Sequence, residues 1–146
     1  MFRPNATVAA IIERDKRFLM VRETIDGRPT LNQPAGHLED DESLLDAVVR
    51  EVREETAWSF TPQGLVGVYR WRHPNGAPTF LRFVFFGEVA GFDADRPLDA
   101  DIDETLWLDL ETLQRRVSEM RSPLVMRGLK DYLDGRRFPL DLLTDL

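Results

Sequence analysis

Between residues 36 and 58 the chain reads GHLEDDESLLDAVVREVREETAW: a glycine turn, an acidic helix start, and then Glu51, Glu54 and Glu55 packed into about one turn. At spacings of three and four residues their side chains share one face of a helix. Two carboxylates about 6 Å apart at an effective dielectric near 20 repel by roughly 3 kcal/mol before screening. A third adds to the repulsion, and a divalent cation would remove it. Spacing alone therefore points to a hard-cation site on a helix, set against the plainer reading of a solvated acidic face in a chain that is 31% charged.

The elements that must position these groups can be read from the pattern around them. Asp40 and Asp41 can cap a helix that begins near Glu42. Leu45, Val48, Val49 and Val52 recur at helical spacing, so the glutamates flank an apolar stripe. Upstream, residues 7–12 and 17–25 read as strands joined by the polar turn ERDKR, and Asp26, Gly27 and Pro29 mark a second turn. Residues 31–39, LNQPAGHLE, form a short extended piece and a loop that feeds the helix. Downstream, Trp58 to Phe60 leave the helix and residues 61–64 are punctuation. Residues 65–71 and 79–89 are strands joined by HPNGAP, whose Asn-Gly pair is a strong hairpin signal. An acidic loop over 91–103 precedes a short strand at 106–108 and two helices over 110–120 and 122–133, the second opened by Ser122-Pro123. The tail FPLDLLTDL either packs or frays. This order is not the strict βαβ alternation of a doubly wound sheet. It predicts an α+β sandwich with a mixed sheet between helices, as one domain over 1–146.

Composition narrows the function. The chain has 146 residues, no cysteine and a net charge of -7, which excludes thiol chemistry and argues against nucleic acid as a partner. No apolar stretch reaches the length of a membrane span, and the reading is a cytoplasmic protein, monomer or homodimer, with no membrane partner.

Gly36, Glu42, Arg50, Glu51, Glu54 and Glu55 satisfy one fixed pattern: Gly, five residues, Glu, seven residues, Arg-Glu, two residues, Glu-Glu. At average residue usage such a match arises by chance in a chain of this length on the order of once in 10⁴ to 10⁵. The stretch resembles the Nudix box of the Nudix hydrolases, which cleave nucleoside diphosphates linked to another moiety. The likeness extends to MF-P at residues 1, 2 and 4, TVA at 7–9, ETI-G at 23–27, NQPAGHLE at 32–39, FLRF at 80–83, DID at 101–103 and RSPLV at 121–125. These resemble the NudJ-type phosphatases within that family, over essentially the full chain.

The resemblance implies a Nudix-type α/β/α sandwich. It also implies magnesium, with manganese as the alternative ion, and hydrolysis of phosphoanhydride bonds in nucleoside di- and triphosphates or in a small pyrophosphorylated metabolite such as the thiamine pyrimidine pyrophosphate. Glu51, Glu54 and Glu55 become the metal ligands, joined by the carbonyl of Gly36, where glycine permits close approach. Arg50 becomes an organiser that holds Glu42 or Glu54 in bidentate geometry. Asp101, six residues before Trp107, is the first choice as additional ligand or general base, ahead of Asp103 and Glu104. The candidates for substrate phosphates are Arg82, Arg70, Arg72 and His37, with Tyr69 or Trp71 available to stack on a ring. One position departs from the pattern: the box ends in glycine, and this chain has Ala57, where a left-handed cap would cost roughly 1 kcal/mol. A catalytically inactive Nudix-like nucleotide-binding regulatory module is the competing class, and a structural protein with an acidic helix is a third.

Overall fold

In the computed structural model, which describes residues 1–146, the apolar run near the N-terminus becomes the strand β1 (Asn5–Arg14), buried on both faces. Val8, Ala10 and Ile12 point into one core while Ala9 and Ile11 point into a second. A strand wrapped this way needs a cover on each side. The first cover is α1 (Leu44–Thr56), whose Ala47, Val48 and Val52 join Val8 and Phe85. The second is α3 (Pro123–Leu133), whose Val125 and Leu129 join Ile11 and Val84.

Within the sheet β1 runs parallel to β6 (Thr79–Ala90), which is bordered by β5 (Ser59–Arg72). On its other edge β1 has two partners in succession. Residues 7–9 pair with β4 (Ala35–His37), whereas only the far end, Glu13 and Arg14, pairs with β2 (Arg17–Ile25). The tight turn between β1 and β2 holds Asp15 and Lys16 at φ 52° and 62°. β2 continues into β3 (Arg28–Asn32) through Asp26 and Gly27, and carries β7 (Glu104–Asp109) on its free side. The seven strands thus follow the order β3-β2-β1-β6-β5, with β4 and β7 off that path. This is the mixed sheet between helices that the pattern predicts. Where β2 parts from β4 the sheet forks, and Thr7, Glu23, Asn32, Ala35 and Gly36 around that fork line one pocket.

Three local readings differ from the structure, and one left open is decided. Ser43 caps α1, its hydroxyl accepting the Asp46 N–H at 3.0 Å, and the helix starts at Leu44 rather than near Glu42; Asp41 sits in the turn before it at φ 65°. Residues 61–64 do not break the chain but bulge within β5, which stays paired with β6 on both sides of the register shift. The helix expected over 110–120 is only α2 (Leu110–Arg115), followed by a 3₁₀ turn at Val117–Glu119. The tail packs: Phe138 and Leu65 exchange backbone hydrogen bonds of 2.8 Å, and Leu140 and Leu143 lie against the α1 core. No helix is long and apolar enough to cross a membrane.

Candidate active site

The residues buried along α1 are Ala47, Val48, Glu51, Val52, Glu55 and Thr56, a repeating pair every four residues. Two of the glutamates therefore lie on the face that builds the core, at its end nearest β4. Glu51 and Glu55 are only 8% and 7% exposed. Burial pushes both carboxyls upward, Glu55 to about 9, even though the Ala35 N–H donates to its Oε1 at 2.8 Å. The backbone next to them has no room for a side chain: a Cβ at Gly36 would fall on the Glu51 carboxylate. That is the physical reason for glycine there, and it leaves the strand β4 in direct contact with the acid.

Arg50 braces the turn. Its Nε and Nη2 donate to the two Glu42 oxygens at 3.0 and 2.7 Å, Nη1 donates to Glu51 at 2.8 Å and to Glu54 at 3.3 Å, and Nη2 also donates to the His37 carbonyl at 3.0 Å. One guanidinium thus ties the helix to the loop before it. The bond to Arg50 holds Glu42 below the usual carboxylate range. Glu54, more exposed, is outside the pocket lining, and its carboxylate is tied to this turn only through Arg50.

A third acid completes the cluster, and it is one that sequence reasoning missed. Carboxylate oxygens of Glu51, Glu55 and Asp99 lie within 4.8 Å of one another. Asp99 is placed by the end of α1. The last turn of a helix leaves carbonyls without intrahelical partners, and the loop after β6 supplies amides to them: Asp99 N–H donates to the Glu54 carbonyl and Asp93 N–H to that of Ala57, both at 3.0 Å. Counting back from Trp107 favours Asp101, because it cannot register where the loop is pinned. Asp101 also lines the pocket, exposed. The other two candidates are engaged elsewhere, Asp103 accepting from the Thr24 hydroxyl at 2.6 Å and Glu104, at the start of β7, paired with Arg22 at 2.9 Å.

The pocket in front of the acids encloses about 410 Å³. Arg82 and His37 line it; Arg70 and Arg72 do not, because strand alternation turns them away and brings Trp71 in. Trp71 stacks on Phe80 at 5.9 Å between ring centres, making an aromatic wall, while the Tyr69 hydroxyl is committed to Asp131 at 2.7 Å. Glu23, its carboxyl raised by burial, and Arg121 also reach the pocket. Both fall in stretches that carry the resemblance, residues 23–27 and 121–125, but nothing in their spacing assigns them to the site.

Residues 1–127 match the NUDIX domain family. The chain belongs to the Nudix family. It is a Nudix hydrolase with relatives along nearly its whole length: it is 42% identical over 145 residues to Phosphatase NudJ of Shigella boydii serotype 4 (strain Sb227), covering 99% of this chain and 94% of that protein, and equally similar to Phosphatase NudJ of Escherichia coli K12. Among solved structures, a NUDIX hydrolase from Nitrosomonas europaea superposes with a TM-score of 0.96 at 46% identity, covering 99% of this chain and 98% of that one. The hydrolase architecture fits a divalent cation, as the chemistry of the donor set shows. Three carboxylates, two of them buried and charged only at a cost, converge with no basic side chain but Arg50 bonded to any of them.

Proposed function

We propose that this Nudix hydrolase uses magnesium, or manganese, to hydrolyse phosphoanhydride bonds in nucleoside di- and triphosphates or in a small pyrophosphorylated metabolite such as the thiamine pyrimidine pyrophosphate. The observation that carries the reading is the convergence of Glu51, Glu55 and Asp99 on one face of a pocket that has Arg82 and an aromatic wall on another. The similarity to Phosphatase NudJ proteins supports the substrate class. We place the reaction in the cytoplasm, with a small phosphorylated substrate as partner and a monomer or homodimer as the acting form.

In this reading Glu51, Glu55 and Asp99 would hold the cation together with the Gly36 carbonyl, and Glu54 would join them as a further ligand. When bound, the ion offsets charge on the phosphoryl oxygens and lowers the pKa of a water in its shell. The protein does the rest by position. Arg50 holds the Glu51 carboxylate at the pocket and ties Glu54 to the same turn, Arg82 and His37 receive phosphate oxygens, and Trp71 with Phe80 shelters the ring. Asp101, close to the acids and free of an ion pair, accepts the proton of the attacking water. The test is a panel of nucleotides and pyrophosphorylated metabolites incubated with and without magnesium, with phosphate and pyrophosphate measured separately. Product that appears only with metal supports the reading; no metal-dependent product from any compound overturns it.

A further inference from the structure

Arg82 is 5% exposed, on the β6 face that looks toward α3, and no carboxylate lies within ion-pairing distance of it. A buried guanidinium ordinarily takes an acid as partner, because an uncompensated charge is costly away from water. This one is held by two neutral amides. Its Nη2 donates to Asn32 Oδ1 at 3.1 Å and to Gln33 Oε1 at 2.7 Å, while its Nε is buried without a partner. Burial lowers its affinity for the proton, to a value of about 10, against the opposing pull of the Glu55 carboxylate, and it stays charged at neutral pH. The Gln33 amide cannot turn over, since its Nε2 donates to the Val125 carbonyl of α3 at 2.9 Å. Its oxygen is thus fixed on Arg82.

We propose that Asn32 and Gln33 form a neutral clamp that holds Arg82, free of any ion pair, as the cation for the substrate's phosphate oxygens, with Gln33 as the positioning residue that links this cation to α3. The inference rests on the hydrolase reading above and names two residues that set its specificity for anions. The amides orient the guanidinium by hydrogen bonding yet cancel none of its charge. Acids in their places would satisfy Arg82 internally and leave little attraction for a phosphate. Asn32 lines the pocket beside Arg82, whereas Gln33 is buried and outside the lining, so one amide of the clamp faces the ligand and the other anchors the cation from within the fold.

Two variants test this. Asn32→Asp keeps the acceptor and adds a charge; Gln33→Met keeps the length and removes the acceptor without adding one. For each, KM and kcat with the best substrate of the panel, the inhibition constant of inorganic pyrophosphate, the affinity for Mn²⁺ and the melting temperature are measured. The clamp predicts that KM and the pyrophosphate inhibition constant both rise about tenfold or more in each folded variant, that the loss falls mainly on KM, and that Mn²⁺ affinity changes less than threefold. A rise in KM confined to Asn32→Asp and matched by altered Mn²⁺ affinity would overturn it, as a general effect of added acidity. So would melting temperatures that fall with no change in KM, the signature of a structural role. If the wild-type protein turns over no substrate, the hydrolase reading fails first, and pyrophosphate binding by calorimetry to the wild type and to Asn32→Asp still decides the clamp: equal affinities overturn it.

Discussion

Glu55 carries the clearest cost in the molecule. Its carboxyl is raised from its ordinary value of 4.5 to about 9, chiefly by burial. A group whose acid form is favoured on folding weakens the metal-free protein as pH rises from 4.5, with the loss complete near 9. Glu55→Gln keeps the acceptor for the Ala35 N–H and removes the titration. It should raise the melting temperature of metal-free protein at pH 8 to 9, leave it unchanged near pH 4, and lower turnover by a factor of 10² or more; equal melting curves across this range would contradict the account. Arg50 acts in the opposite sense. With four carbonyl or carboxylate groups depending on it, Arg50→Lys cannot reproduce the fork, and a loss of about 2 kcal/mol of stability together with at least tenfold lower kcat is expected in denaturant melts and rate measurements. The two loop acids separate by phenotype: Asp99→Asn should weaken Mn²⁺ binding, whereas Asp101→Asn should lower kcat with Mn²⁺ affinity little changed, as read by metal titration beside kinetics. That Glu51 and Glu55 share one face of α1, with Arg50 beside them, was legible because helical spacing fixes them relative to one another; Gly36, on β4, is marked only by the motif, and Glu54 falls outside the cluster. Asp99 was not legible, since its place depends on a loop anchored to a helix end that sequence distance does not encode.

At the scale of elements, α1 shows why the departure at its end is tolerated. Ala57 adopts φ 63° and donates its N–H to the Arg53 carbonyl at 2.9 Å, so the left-handed cap is kept and the helix does not run on. The cap costs alanine roughly 1 kcal/mol relative to glycine, but the methyl group is buried, which is worth about 0.8 kcal/mol, and glycine would add freedom to the unfolded chain. The terms nearly cancel. Ala57→Gly should shift the melting temperature by no more than about 2 °C, while Ala57→Val, β-branched at positive φ, should cost about 2 kcal/mol in denaturant unfolding. The start of the helix was misread for a related reason: Asp40, Asp41 and Ser43 are all competent caps, and only the turn at Asp41 decides that Ser43 takes the role. The bulge at residues 62–64 likewise looked like a turn, because proline and glycine mark both, and pairing with β6 decides between them.

For the whole molecule, the fork in the sheet and the two helical layers explain how side chains distant in sequence share one pocket. β1, buried on both faces, was legible as an uninterrupted apolar run, and with it the sandwich. The fork was not, because which half of β1 pairs with β4 and which with β2 is a matter of register. The site collects its groups from β1 to β4, α1, β5, β6, the acidic loop and the segment before α3, and a bound cation would join α1 to β4 and the acidic loop. The most direct test of the central claim is the binding isotherm of Mn²⁺ to the metal-free protein at pH 7.5, followed by electron paramagnetic resonance, for wild type and Glu55→Gln. Saturable binding by the wild type that weakens at least tenfold in Glu55→Gln is the predicted result. Identical isotherms for the two proteins, or no binding by the wild type, would contradict the assignment of this buried acidic face as the metal site of the hydrolase.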